Sequence, residues 1–268
     1  VADARAGRVR FIGDPATRIQ EDALRILRFF RFHAHYGKGA LDEDGLAACG
    51  AHVAMVDRLS GERVRAELFK LLAAPDPVPA WRAMTVVGVA AHLLASSDAR
   101  ALADMVATEN QLGLPTDPLR RLAALAGAGL DDGVAMLKKR LKLSNRDAER
   151  LAFMARPGAR PALVAHGAFG RALYGAKPEA VRDAALLGHV RANAPDMKRL
   201  TDFLHFAASW RAPRFPLSGA DLCRRGIAEG PAFGRLLHEV ELWWTISDFM
   251  PDRKACLAEL DRLIAVNH

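Results

Sequence analysis

The sequence predicts an all-α protein built as an elongated stack of short helices. Apolar side chains recur at the three- and four-residue spacing of helices through most of the 268 residues, and strand signals are nearly absent beyond residues 8–12. Prolines and glycines interrupt this periodicity at short intervals, which limits the length of each helix. The sequence contains no internal repeat and no low-complexity tract.

The helices of the first half follow from capping residues and prolines. Asp14 before Pro15 is typical of a helix start, and Gly37 is typical of a helix stop. Ser60 caps the third predicted helix, and three prolines between residues 75 and 79 break the chain after it. The helices predicted for this half cover residues 15–36, 43–56, 60–74, 80–95, 98–112, 116–128 and 131–142.

The helices of the second half are separated in the same way. Ser144-Asn145 begins a helix, Arg156-Pro-Gly ends it, and Pro213 and Pro216 mark a later loop. The predicted helices cover residues 144–155, 160–174, 178–193, 195–212, 231–249 and 252–266. The core of the last segment is predicted to contain Leu222, Ile227, Phe233, Leu236, Leu237, Val240 and Trp244.

Composition favours a soluble globular protein with a polyanionic partner. Apolar residues make up 51% and charged residues 26%, and no apolar run reaches the ~20 residues of a membrane span. Cys49, Cys223 and Cys256 are far apart and odd in number, which supports neither zinc nor disulfides and fits a reducing cytoplasm. The whole chain carries +7, but residues 138–225 hold 18 Lys/Arg against 7 Asp/Glu. This concentration favours RNA as the partner, the alternative being a solvated basic face.

The most informative segment is residues 18–31, which read Arg-Ile-Gln-Glu-Asp-Ala-Leu-Arg-Ile-Leu-Arg-Phe-Phe-Arg. On one continuous helix, at about 100° per residue, five charged side chains fall within an arc of roughly 120°, namely Arg18, Glu21, Asp22, Arg25 and Arg28. A carboxylate three residues before a guanidinium sets a hydrogen-bond acceptor beside a fork of donors. Such a pair can read the edge of a nucleobase, and further arginines can hold phosphates. The alternative is a surface helix whose carboxylates and arginines merely pair with one another.

Three motifs occur along the chain in a fixed order. The first is the run from Arg18 to Phe32, preceded by Gly13-Asp14-Pro15. The second is Leu59-Ser60-Gly61-Glu62-Arg63-Val64, with Glu67 and Lys70. The third is Pro216-Leu217-Ser218-Gly219-x-Asp221-Leu222, with Gly226-Ile227, Gly230-Pro231 and Gly234. Together they resemble the class II tRNA nucleotidyltransferase and bacterial poly(A) polymerase family, whose Glu-Asp-x-x-Arg motif the first run matches.

The resemblance implies roles for residues of the first two motifs. Asp22 and Arg25 would pair with the base edge of incoming CTP or ATP. Arg28 and Arg31 would help to hold the nucleotide. The residues expected to support this constellation are Arg18, Glu21, Glu62 and Arg63.

The resemblance also implies a curved arrangement of domains and a tail that grips tRNA. Residues 1–13 would be the remnant of an N-terminal head, 14–75 the neck that recognises the base, 76–143 the body and 144–268 the tail. The candidate tRNA contacts are Lys138, Lys139, Arg140 and Lys142, which could equally form a solvated helix face.

The family's transfer chemistry is assigned to its head domain, whose Asp-x-Asp pair binds two magnesium ions. Asp42-Glu43-Asp44 has the same Asp-x-Asp sequence pattern. It follows two glycines and no strand precedes it, so these acidic residues are expected to lie in a solvated loop. His33 and His35 would point about 200° apart on a helix, so they could not share an ion. We therefore expect no catalytic residue and no metal site in this chain, Mg²⁺ held by the head of the intact enzyme, and no activity of the chain alone.

The sequence thus predicts the neck, body and tail of a CCA-adding tRNA nucleotidyltransferase, with CTP and ATP as substrates and tRNA as partner. The first alternative is a bacterial poly(A) polymerase, which usually adds a strongly basic C-terminal extension, whereas this chain ends with Glu259, Asp261 and Arg262. The second alternative is a non-catalytic helical RNA-binding module. We expect a cytoplasmic location and no membrane partner, and the sequence leaves the oligomeric state open.

Overall fold

The structure is a computed structural model that describes residues 2–127, 129–156, 169–192, 196–227 and 230–266. Within these ranges the backbone forms α-helices and short 3-10 turns and no strand, which confirms the predicted all-α stack of helices. The helices are α1 Ala2–Ala6, α2 Pro15–Glu21, α3 Leu24–Tyr36, α4 Glu43–Ala51, α5 Gly61–Leu72, α6 Val78–Val86, α7 Ala99–Gln111, α8 Pro118–Leu125, α9 Gly129–Leu141, α10 Asn145–Ala155, α11 Phe169–Leu173, α12 Pro178–Arg191, α13 Met197–Ser209, α14 Gly219–Cys223, α15 Pro231–Ile246 and α16 Arg253–Val266.

The helix starts follow the capping residues that the sequence shows. The carboxylate of Asp14 accepts a hydrogen bond from the Thr17 amide at 2.7 Å, and the Ser60 hydroxyl accepts one from the Arg63 amide at 3.4 Å. Ser144 caps α10 in the same way. Such caps satisfy amide groups that the first turn of a helix leaves without partners. Most of the predicted helix 160–174 lies outside the described residues, and α11 is its described end.

The predicted continuous helix from Pro15 to Gly37 is wrong, because the chain breaks at Asp22. Asp22 has φ −155° and ψ 106°, an extended conformation between α2 and α3. Its Oδ1 accepts a hydrogen bond from the Leu24 amide at 3.1 Å. Short polar side chains can replace helical hydrogen bonds by bonding nearby amides, and Asp22 does so here. The arc predicted for a single helix therefore does not describe the positions of the polar side chains.

Two other predicted helices are shorter than expected. The segment predicted at 80–95 leaves the α-helix after Val86, and Gly88 adopts φ 84° before a 3-10 turn at Val89–His92. The segment predicted at 43–56 ends as an α-helix at Ala51 and continues as a 3-10 turn, Val53–Arg58. A glycine at positive φ costs no steric energy, which explains the first break.

One hydrophobic core extends from Ile19 to Phe203, both fully buried. Within it α3 packs against α5 and α6, so the segment with the Glu-Asp-x-x-Arg motif rests on the second motif. This core is continuous across residues 75 and 143, and the domain boundaries predicted there stay predictions.

A second core joins α14, α15 and α16, and it confirms the core predicted for the last segment. Its fully enclosed members are Leu217, Leu222, Val240, Trp244, Cys256 and Leu260, and the other predicted residues pack against them. No helix within the described ranges has the length and apolar content needed to cross a bilayer.

A buried charge cluster ties the end of α5 to the helices behind it. Arg121 donates from Nε to Glu109 at 2.7 Å and from Nη1 to the carbonyls of Leu72 and Ala74 at 2.8 and 2.6 Å. Its neighbour Arg120 pairs with the other oxygen of Glu109. Because the last carbonyls of a helix lack intrahelical donors, Arg121 caps α5 from inside the core. This fixes the helix that supports α3.

Candidate nucleotide-binding site

A pocket of about 310 Å³ lies between the segment before α2 and the helices α2 and α3. Four arginines supply its polar wall, and apolar side chains supply the rest. The lining residues are Val9, Arg10, Phe11, Ile12, Arg18, Arg25, Arg28, Phe29 and Phe32. Cationic forks beside aromatic and aliphatic surface suit an anion that also carries a flat ring.

Arg25 is held in place by one of its three nitrogens. Its Nη1 donates to Glu21 Oε2 and to the carbonyl of Arg18, the latter at 2.8 Å. Arg18 also donates to Glu21, and the hydrogen bonds from Arg25 and Arg18 hold the pKa of Glu21 below its usual value. Nε and Nη2 of Arg25 have no hydrogen bond to the described part of the chain. Nη1 thus fixes the position of the guanidinium, and the edge formed by Nε and Nη2 stays available to a ligand.

Asp22 lies beside this arrangement and is held from the opposite side. Arg63 of α5 places its Nη2 at 2.9 and 3.0 Å from the two oxygens of Asp22. Burial alone would raise the pKa of Asp22, but the Leu24 amide and the Arg63 guanidinium lower it, with a contribution from the charge of Arg25. Asp22 is therefore an ionised acceptor close to Arg25, and the two do not pair with each other.

The remaining arginines of the first motif separate into two environments. Arg28 is exposed and lines the pocket, with its guanidinium 5.7 Å from the centre of the Phe32 ring. Arg31 instead stacks at 4.2 Å from that ring and lies 3.1 Å from the buried Glu67. The structure does not bring Arg31 into the pocket, and its ion pair with Glu67 joins α3 to α5.

The segment before α2 contains pocket residues that sequence reasoning missed. Arg10, Phe11 and Ile12 line the pocket, whereas the sequence indicated only the edge of another domain. Arg10 is oriented by an ion pair with Asp3, which also receives a hydrogen bond from Arg8 at 3.0 Å. The alternation of basic and apolar residues in Arg8-Val-Arg-Phe-Ile was the available signal.

The predicted RNA contacts at the end of α9 are not equivalent. Lys139 and Lys142 are exposed, and Lys138 is exposed while bonding Asn145 at 2.7 Å. Arg140 is half-buried, and its Nη2 turns inward to the carbonyls of His92 and Val56 at 3.3 and 3.5 Å. Its predicted contact with tRNA stays a prediction. Arg140 joins α9 to the two 3-10 turns, whereas the three lysines are exposed.

Glu62 begins the α5 helix beside these lysines. It lies next to Ser60, and the pKa of its carboxyl is lowered first by the Glu62 backbone amide and then by Ser60, Lys142 and Arg65. It supports the start of the helix that carries Arg63. In the described part of the chain, no group of three His, Cys, Asp or Glu side chains could hold a metal ion.

Comparisons with known proteins agree with this fold. Residues 40–99 match the family model described as the probable RNA and SrmB-binding site of polymerase A. The mitochondrial CCA tRNA nucleotidyltransferase 1 of Mus musculus is 28% identical over 97% of the chain and 60% of its own length. The CCA-adding enzyme of Levilactobacillus brevis is 22% identical over 96% of the chain and 64% of its own length.

Solved structures of CCA-adding enzymes are similar to this chain in fold. The CCA-adding enzyme of Bacillus stearothermophilus in complex with CTP has a TM-score of 0.69 at 19% identity, covering 99% of this chain and 68% of that one. The Thermotoga maritima CCA-adding enzyme complexed with tRNA CCA has a TM-score of 0.62 at 18% identity, covering 98% and 66%.

The chain thus shares its helical fold with solved CCA-adding enzymes. It is similar in sequence and in fold to the class II CCA-adding tRNA nucleotidyltransferase and bacterial poly(A) polymerase family. The chain spans about 60% of the length of the curated relatives it matches.

Proposed function

We propose that this chain is the base-reading and tRNA-binding part of a CCA-adding tRNA nucleotidyltransferase, which adds CMP and AMP from CTP and ATP to the 3′ end of tRNA. The observation that carries the proposal is the pair of anchored side chains at the pocket, an acceptor on Asp22 and a donor edge on Arg25. The names of the relatives support the same activity.

The selection follows from the hydrogen-bonding edges of the bases. Cytosine and adenine each carry an exocyclic amino group that donates, whereas uracil and guanine carry a carbonyl oxygen at that place. An ionised carboxylate only accepts, so Asp22 favours the amino-bearing bases. Arg25 donates to the neighbouring ring acceptor, which uracil and guanine replace with an N–H. The same pair therefore accepts C and A and opposes U and G.

The rest of the pocket suits the remainder of a nucleotide. Arg10, Arg18 and Arg28 provide guanidinium forks for phosphate oxygens, and Phe29 and Phe32 provide apolar surface for the base or ribose. The family resemblance assigns Mg²⁺ to a head domain with its own carboxylates, and the described residues offer no cluster for an ion. This chain's part in the reaction is binding and selection.

The tRNA surface is proposed to include Lys138, Lys139 and Lys142 and to extend over the basic stretch 138–225. These three ammonium groups are exposed at one helix end, close to the start of α5. Phosphate contacts of this kind contribute affinity without reading sequence. Three free cysteines favour a reducing compartment, and we propose the cytoplasm.

The test uses the full polypeptide that contains this chain, with tRNA lacking its terminal CCA and labelled CTP and ATP. We expect addition of two C residues and one A, followed by arrest. Asp22→Ala and Arg25→Ala should lose base selection, while Asp44→Ala, which removes an exposed carboxylate outside the pocket, should not. Absence of any nucleotide addition would leave a helical RNA-binding module as the better description.

A second candidate function is poly(A) addition, which the match of residues 40–99 to a polymerase A family model favours. The same assay separates the two, because a poly(A) polymerase would add AMP without arrest and would not require CTP.

A further inference from the structure

The geometry points to Arg63 as a positioning residue for base selection: it holds Asp22 away from Arg25 and leaves one carboxylate lone pair for the amino group of C or A. This inference rests on the proposed function and assigns to α5 a part in selecting the nucleotide. Three hydrogen bonds hold the Asp22 carboxylate, one from the Leu24 amide and two from Arg63.

The acceptor capacity of Asp22 is almost used up. A carboxylate has about four lone-pair sites, two on each oxygen. Oδ1 accepts from the Leu24 amide at 3.1 Å and from Arg63 Nη2 at 2.9 Å. Among the residues that the structure describes, Oδ2 accepts only from Arg63 Nη2, at 3.0 Å. One site on Oδ2 therefore remains, and its direction is set by the two bonds that hold the carboxylate plane.

Without Arg63, the acceptor and donor of the site would neutralise each other. Asp22 and Arg25 carry opposite charges and lie close enough for the charge of Arg25 to act on Asp22, so the two could pair if neither were held elsewhere. Two outside groups prevent that pairing. Arg63 draws Asp22 toward α5, and Glu21 draws Arg25 toward α2.

Arg63 is itself placed by the core. Its helix starts at the Ser60 cap, and the adjacent Val64 is fully buried. A Cβ on Gly61 would lie within 3.0 Å of the Arg140 carbonyl oxygen, a separation that real Cβ atoms essentially never show. Glycine thus lets the start of α5 press against the end of α9, and Arg63 projects from this fixed end.

The ionisation state supports the geometry. The Arg63 guanidinium helps to keep the pKa of Asp22 below its usual value, so the carboxyl stays without a proton at neutral pH. A protonated carboxyl could donate to the carbonyl of uracil or guanine. Loss of Arg63 therefore weakens discrimination at neutral pH by freeing the side chain, and it also removes one of the causes that lower the pKa of Asp22, an effect that matters only at acidic pH.

The experiment compares CTP with UTP in the full polypeptide, using tRNA that lacks CCA. The measured quantity is the ratio of kcat/KM for CTP to kcat/KM for UTP. Sites built around a hydrogen bond discriminate strongly, and we expect Arg63→Ala to lower the ratio about tenfold or more. Arg63→Lys, which keeps a charge but loses the planar fork, should fall between Arg63→Ala and wild type. Arg58→Ala, an exposed arginine five residues earlier, should stay within about twofold of wild type.

Each result has a distinct meaning. An equal rise in KM for CTP and UTP in Arg63→Ala, with an unchanged ratio, would show that Arg63 contacts phosphate and would overturn the inference. A ratio that also falls at acidic pH in Arg63→Ala, but not in wild type, would support it, since only a change at Asp22 predicts that. Far-UV circular dichroism verifies folding, and if Arg63→Ala fails to fold, the ratio for Arg63→Lys decides. If wild type adds no CMP, the proposed function fails rather than this inference.

Discussion

Replacing Arg121 by alanine should destabilise the first core strongly. Arg121 is 1% exposed and makes four contacts, to Glu109, to the carbonyls of Leu72 and Ala74, and to Thr116. The substitution leaves Glu109 with Arg120 as its one remaining ion-pair partner in the described structure. It also removes the donor that serves two carbonyls at the end of α5.

The magnitude follows from which contacts are lost. Removing one partner of a buried ion pair costs about 3–5 kcal/mol when the other charge is left uncompensated. Because Arg120 still pairs with Glu109, the lower end of that range applies to this contact. Each unpaired buried carbonyl adds a penalty of about 1–3 kcal/mol, although water admitted to the new space offsets part of it. We therefore expect a total loss of about 4–5 kcal/mol. For a domain of this size, 4 kcal/mol corresponds to roughly 8–16 °C in Tm.

The assay is urea unfolding followed by far-UV circular dichroism and by tryptophan fluorescence. Tryptophans lie in or against both cores, Trp81 and Trp210 at the first and Trp243 and Trp244 at the second. Fluorescence therefore follows both cores together, and its coincidence with circular dichroism indicates global unfolding. Arg100→Ala is the matched control, because Arg100 is 70% exposed and lies 3.7 Å from Asp104; such a surface pair contributes about 0–1 kcal/mol. An unfolding free energy for Arg121→Ala within about 1 kcal/mol of wild type would refute the account of the buried cluster.

Two further predictions concern other parts of the fold. Gly61→Ala should destabilise the protein by about 1–3 kcal/mol because the new methyl group collides with the Arg140 carbonyl. Gly133→Ala should stabilise its helix by about 0.5–1 kcal/mol, because no described atom lies within 4 Å of the new Cβ. Urea unfolding measures both changes, and changes of the same sign in the two variants would contradict this explanation. Hydrogen bonds from Arg253 and Ser218 lower the pKa of the Asp221 carboxyl below its ordinary value of 3.8. Ionised Asp221 therefore contributes its full share to the free energy of unfolding above pH 3.8, and this share is lost as the pH falls through the lower pKa of the folded state. The difference in unfolding free energy between wild type and Asp221→Asn should accordingly be constant above about pH 4 and shrink below it, and a difference that grows on acidification would exclude the assignment.

Local features of this fold could be predicted from the sequence because they depend on neighbouring residues. Asp14, Ser60 and Ser144 begin helices as expected, since an N-cap bonds an amide two or three residues away. The apolar periodicity of α15 likewise gave the second core, with Val240 and Trp244 inside it. In each case the helix start or the buried face is determined by residues that are close to one another in the sequence, so the sequence pattern is enough to predict it.

The buried charges and the direction of Arg140 could not be predicted, because their partners are distant in sequence. Arg120 meets Asp183 across 63 residues, and Arg121 meets Leu72 across 49. Charged residues in a helix are normally exposed, so the pattern alone favours solvent. Arg31 shows the same difficulty, since its partner Glu67 belongs to another helix. These contacts depend on how α5, α7, α8 and α12 meet in the core.

The break at Asp22 changes what the spacing of the first motif means. On a continuous helix, a carboxylate and a guanidinium three residues apart would face the same side and pair, which would fill the donors and acceptors that a base needs. In the structure Asp22 is extended, and its side chain is directed by the Leu24 amide and by Arg63 rather than by helical phase. Arg25 is directed by Glu21 and the Arg18 carbonyl. The short spacing thus keeps the two groups within reach of one base, while separate anchors prevent them from pairing. A motif interpreted only as one face of a helix would account for the closeness of the two groups but not for their separate anchors. The anchor of Asp22 is Arg63, which belongs to another motif 41 residues away.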